Sequence, residues 1–160
     1  MLDTPMANVG APAGSYTTTP LRGVWYGPDS VQKLPKIIED ITREGENTNA
    51  NLTNGHKSVK VLIMTGKSLA ATPVVPMIED ILKENDYYAA TFTGMRQHSP
   101  IEDIEKALSI MQDKGANMLV AVGGGSSIDA CKTISYFNKE RNGSFIQHVS
   151  MTHSYLPSKK

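Results

Sequence analysis

One cysteine, one tryptophan and no excess charge of either sign are what this 160-residue chain lacks most conspicuously. With Cys131 as its single thiol the sequence holds no intrachain disulfide and no cysteine metal cluster, and Cys131 reads as a buried, inert side chain. Lysine and arginine number 16 against 16 acidic residues, so no electrostatic footprint recommends nucleic acid or an anionic membrane as a partner. A small neutral-to-anionic ligand fits better. No apolar run approaches the length of a membrane span, and residues 1 to 20 lack the basic start and apolar core of a secretory signal. A cytosolic location is therefore expected, and the glycosylation sequons at Asn51 and Asn142 read as incidental. Internal repeats and low-complexity tracts are absent as well.

What is present is 39% hydrophobic residues, enough for one domain with a real core. Residues 1–21, punctuated by Pro5, Pro12, Pro20, Gly10 and Gly14, read as a flexible segment or an edge extension. Asp29 or Ser30 can cap a helix carrying Val31, Leu34, Ile38 and Ile41 at helical spacing, with Pro35 expected to bend or delay it. Residues 44–58 are polar and read as a surface loop. Val59 to Met64 then reads as a buried strand, and Thr72-Pro73 opens a helix with Val74, Ile78, Ile81 and Leu82. Tyr87 to Thr93 is the next strand. Ser99-Pro100-Ile101-Glu102 has the form of a capping box, opening a helix with Ile101, Ile104, Leu108 and Met111 inward and Gly115 as its stop. Met118 to Val122 is a further strand. Short apolar strands alternating with helices imply an α/β domain: a mostly parallel sheet with helices on both faces, whose ligands bind beyond the carboxyl ends of the strands.

The most informative run is Val120 to Lys132, where a buried strand enters Gly123-Gly124-Gly125 and then directly a helix. Residues without Cβ let the backbone approach an anion, and the first N–H groups of the following helix point toward it. Ser126 and Ser127 can cap that helix and donate hydroxyls, while Asp129 and Lys132, three apart, can reach a ribose or phosphate. A ligand-free glycine turn is the alternative.

Gly-Gly-Gly-Ser-x-x-Asp-x-x-Lys, from Gly123 to Lys132, resembles the nucleotide-binding motif of the iron-containing alcohol dehydrogenase family, which shares its fold with glycerol dehydrogenase and dehydroquinate synthase. Trp25 to Ser30 followed by Lys33-Leu34-Pro35 resembles that family's opening motif, and Gln97-His98-Ser99-Pro100 is similar to the middle motif of its maleylacetate reductase branch. The resemblance spans residues 22–149, taken as the nucleotide-binding domain, and leaves 150–160 as a divergent tail. It implies the Rossmann-like half of the dehydroquinate synthase-like fold, with the helical metal-binding domain absent from this chain.

By the same resemblance the ligand is a dinucleotide, and the full-length family interconverts alcohols and carbonyls, maleylacetate among them, with NADP(H) or NAD(H). NAD-preferring members carry Asp where this chain has Gly66. A glycine there removes a charge that would repel a 2′-phosphate, and Lys67 and Ser68 can hold one, so NADP(H) is favoured. Alternatively, Gly66 serves turn geometry alone. His98 is the candidate to act on substrate, or it satisfies backbone groups at a strand-to-helix turn; Arg96 steers an acidic substrate or solvates the loop. The family's divalent metal is held by an Asp and three His that have no counterpart here, and His56, His98, His148 and His153 lack spacing suited to a shared ion. Phe145 to Val149 resembles the next family strand, but Ser150 to Pro157 departs from the Pro-Thr-Thr turn that should follow. A truncated, alternatively spliced or frame-shifted product is the expectation, with little or no dehydrogenase activity alone. The rival readings are a non-catalytic nucleotide-binding or dimerisation module, as a homodimer or beside a complete homologue, and an enzyme of the dehydroquinate synthase type.

Overall fold

The computed structural model describes residues 14–16, 23–48, 58–142 and 147–151, with side chains over 23–43 and 58–137. Two short strands, β1 (Gly14–Tyr16) and β2 (Val24–Tyr26), pair antiparallel. A 3₁₀ turn over Ser30–Lys33 leads into α1 (Leu34–Thr48). Then follow β3 (Val61–Met64), the single turn α2 (Lys67–Ala70), α3 (Val74–Glu84), β4 (Tyr88–Phe92), α4 (Ile101–Asp113), β5 (Met118–Val122), α5 (Gly125–Asn142) and β6 (Gln147–Met151).

The last four strands form one parallel sheet in the order β4-β3-β5-β6. Its centre is the β3–β5 pair, in register from Val61 opposite Met118 to Met64 opposite Ala121. Every residue of both strands is buried, which is why they read as unbroken apolar runs rather than alternating ones. Pleating sends Leu62, Met64, Leu119 and Ala121 to one face, where Ile104, Ala107, Leu108 and Met111 of α4 and Ala130, Cys131 and Ile134 of α5 pack. Val61, Ile63, Met118, Val120 and Val122 go to the other, under Leu34 and Ile38 of α1 and Val75, Ile78 and Leu82 of α3. The chain steps one way from β3 to β4 with α3 on one face, then back to β5 with α4 on the opposite face. A constant crossover hand requires that reversal.

Several local expectations are modified. Neither Asp29 nor Ser30 caps by its side chain; Asp29 lies at φ 58 and the first bond is from the Gln32 N–H to its carbonyl. Pro35 delays the α-helix as expected, since it falls in the first turn of α1, where its missing N–H costs nothing. The helix persists to Thr48, so the polar stretch 44–58 begins as helix, and its remainder to residue 57 lies outside the described residues. β1 falls within the segment expected to be flexible or an edge extension, and β6 runs two residues past Val149, pairing Ser150 with Ala121 and Met151 with Val122. Ile101 is half exposed at 49%: it stands at the first residue of α4 and borders a shallow groove with Phe137. Asp103 takes the buried place in that turn. Gly115 does stop α4, with its N–H on the Gln112 carbonyl at 3.1 Å and the Ala116 N–H on Met111 at 2.9 Å. Cys131 is buried, which pushes its thiol up to about 12. Among the described residues no helix is long and apolar enough to cross a membrane.

Thr65 follows β3 with its hydroxyl fully buried and without a hydrogen-bond partner among the described residues. An orphaned buried hydroxyl costs free energy that an isosteric methyl does not. Thr65→Val is therefore expected to stabilise the chain by about 1 kcal/mol, read from urea denaturation; a lower midpoint would show that the hydroxyl is paired.

Candidate functional site

The carboxyl ends of β3, β4 and β5 open on one cleft of about 670 Å³, bordered by Gly66–Leu69, Gly94–Gln97 and Val122–Ser127. It stands where strand order reverses direction, the place at which open parallel sheets bind ligands. Glycine follows each of these strands closely, at Gly66, Gly94 and Gly123.

Gly123 has φ +143, and a Cβ there would come within 3.1 Å of the Ser127 hydroxyl, so this position needs glycine on two counts. At Gly124 and Gly125 an added Cβ would meet nothing within 4 Å. The backbone there lies open toward the cleft. The bond from the Ile128 N–H to the Gly124 carbonyl (3.3 Å) begins the α5 ladder, which leaves the N–H groups of the first turn for another acceptor. Gly66 is different: its φ of −92 and ψ of 161 suit any residue, so turn geometry does not demand glycine. Space does, because a Cβ would stand 3.0 Å from the Met95 carbonyl oxygen.

Ser126 and Ser127 lie inside the first turn of α5 rather than at its cap, because the helix begins one residue earlier, at Gly125. The Ser126 hydroxyl accepts from the His98 N–H (3.2 Å), and its carbonyl accepts from the Ser99 hydroxyl (2.7 Å). Ser99 therefore does not form the expected capping box; its hydroxyl is spent on α5, and Pro100 holds the cap position of α4 with no side-chain bond. Lys67 and Ser68, on α2, border the cleft, as do Gly123, Gly124 and Gly125. Asp129 and Lys132 do not: they pair with each other at 3.2 Å on the exposed side of α5. His98 is exposed at φ 61, it is its backbone N–H rather than its ring that bonds Ser126, and the cleft border ends at Gln97. His148 lies on β6, while His56 and His153 fall outside the described residues. Among the described residues no three His, Cys, Asp or Glu side chains stand close enough to share a metal ion.

The sequence reading did not place Leu69, Gly94 and Met95 at the site. The glycine two residues past β4, matching Gly66 past β3, was the available signal. Arg96 does border the cleft, yet its guanidinium is committed to Asp103: Nε donates to Oδ2 at 2.8 Å and Nη2 to Oδ1 at 2.9 Å, with the backbone N–H of Arg96 adding a third bond at 3.1 Å. It is neither a free steering charge nor mere loop solvation. It fastens the loop to α4.

These features define a class: a doubly covered parallel α/β domain with a glycine-rich turn at the head of a helix, facing a switch-point cleft. The chain belongs to the iron-containing alcohol dehydrogenase family, whose model matches residues 23–159, past the last of the motifs quoted above. It is 35% identical over 110 residues to lactaldehyde reductase of Escherichia coli K12, covering 69% of this chain and 25% of that protein. The chain thus spans about a quarter of the length of that curated relative. A crystal structure of 1,3-propanediol oxidoreductase superposes with a TM-score of 0.62 at 18% identity, over 79% of this chain and 32% of the other. Maleylacetate reductase from Agrobacterium tumefaciens gives 0.55 at 18%, over 79% and 29%. Both likenesses are of fold.

The Arg96 guanidinium, hydrogen-bonded to Asp103, holds that carboxyl below its ordinary value of 3.8. A carboxylate with a depressed folded pKa contributes stability present above the unfolded value and lost as pH falls through the folded one. Asp103→Asn is expected to be less stable than the parent at pH 7 and to lose less between pH 4 and pH 2, with urea midpoints as the measure. Equal midpoints at neutral pH would contradict the anchor.

Proposed function

We propose that the cleft binds a nicotinamide dinucleotide, as the nucleotide half of an oxidoreductase interconverting a small alcohol and its carbonyl. The observation that carries this reading is the open backbone at Gly124 and Gly125, directly before the first turn of α5. A pyrophosphate there meets unpaired N–H groups, the positive end of an 18-residue helix and the Ser126 hydroxyl. Gly66, Lys67 and Ser68, at the end of β3, take the adenine ribose. With no carboxylate at residue 66 and a lysine beside it, NADP(H) is the favoured cofactor. Asp129 and Lys132, paired with each other, act at most from outside the cleft border. His98, exposed beside the cleft, is the side chain this reading turns toward substrate. The bound nicotinamide supplies the hydride; these residues bind and orient it. Lactaldehyde and 1,3-propanediol, which name two of the similar proteins, indicate the size of substrate.

Gly124→Val tests the turn with little cost to the fold, because space is open there, whereas Gly123 is conformationally constrained. NADPH and NADH affinities are expected to fall at least tenfold, measured by fluorescence titration. Unchanged affinity for both would remove the assignment.

Gly66→Asp must be read beside Gly66→Ala, since any Cβ presses on the Met95 carbonyl. Alanine should weaken both cofactors alike. Aspartate should weaken NADPH further relative to NADH, by roughly 1 to 3 kcal/mol for a like charge in a partly dry site. A cofactor ratio identical in the two variants would refute the preference.

A further inference from the structure

Residues 94–97 form one wall of the cleft, and the loop 94–99 that carries them is fastened at two places to two different helices. Arg96 is bonded to the buried Asp103 of α4, while His98 and Ser99 are both bonded to Ser126 of α5. Ser126 is thus shared, bordering the cleft on the side of the glycine turn and gripping the opposite wall. The grip holds an unfavourable backbone: His98 and Ser99 are consecutive non-glycine residues at φ 61 and 47, a conformation L residues adopt where their surroundings enforce it. Since the Ser126 oxygen accepts the His98 N–H, its own proton is left for another acceptor, and Ser126 borders the cleft.

We infer that Ser99, which does not border the cleft, is a positioning residue for it. Its hydroxyl holds the carbonyl of Ser126, fixing the first turn of α5 against the loop that carries the 94–97 wall. The two sides of the cleft are thereby set at a working separation before a ligand arrives. Ser126 completes the link, with its oxygen engaged by His98 and its proton directed to a phosphate. Wall and turn are two parts of one preorganised clamp, so binding spends less on ordering them. This inference rests on the dinucleotide reading of the cleft.

The test uses the full chain and two variants that both remove the hydroxyl but differ in backbone tolerance. Ser99→Ala keeps the strained left-handed residue, whereas Ser99→Gly relieves it. Thermal melting should therefore place Ser99→Gly above Ser99→Ala. NADPH titration should show both variants weakened alike, by about three- to tenfold, the range one neutral hydrogen bond carries. Affinity that instead follows melting temperature, with Ser99→Gly binding as the parent does, would make Ser99 a purely structural residue and overturn the inference. Parent-like binding in both variants, alongside weakened binding in Gly124→Val, would overturn it too while leaving the cleft reading intact. Parent and Gly124→Val binding alike, or neither binding, would end both.

Discussion

The pairing of β3 with β5 is the constraint on which the rest of this structure depends. Both strands are buried throughout, so each must satisfy its backbone groups within the sheet and its side chains against helices on two faces. Because β4 then lies on the far side of β3 from β5, the two connections diverge at the carboxyl edge and leave a cleft between them. The glycine turn after β5 and the Gly66 segment after β3 face one cleft for that reason. A sheet with β4 inserted between them would hold them a further strand spacing of about 4.8 Å apart.

The cleft's second wall is held by polar contacts rather than by burial. Arg96, Gln97 and His98 are exposed, and apolar packing at the buried Met95 alone does not explain a loop with two left-handed residues. Arg96 on Asp103 and the serine pair on Ser126 supply what packing does not. Such an arrangement suits a binding site. Hydrogen bonds specify geometry more sharply than apolar contact does.

How much of this was legible in the sequence follows from the range of each interaction. Apolar runs marked β3 and β5, and 3.6-residue periodicity marked α1, α3 and α4, because both signals arise within a few residues of chain. The misreadings are local rules overridden from a distance. Ser99 has the spacing of a capping serine, but its hydroxyl finds the Ser126 carbonyl 27 residues away. Ile101 continues the apolar stripe of α4, yet the buried place in that turn goes to Asp103, drawn in by Arg96.

The sequence by itself determined the alternation of strands and helices, the glycine turn entering α5 and the family, since each is written in short-range pattern or contiguous motif. Only the tertiary structure decided that Gly66 is kept small by the Met95 carbonyl, that Arg96 is an anchor and that Ser126 joins both walls of the cleft. Those facts depend on which strand lies beside which. Strand order comes from burying two apolar faces at once, a property of the assembled sheet that no local window of sequence contains.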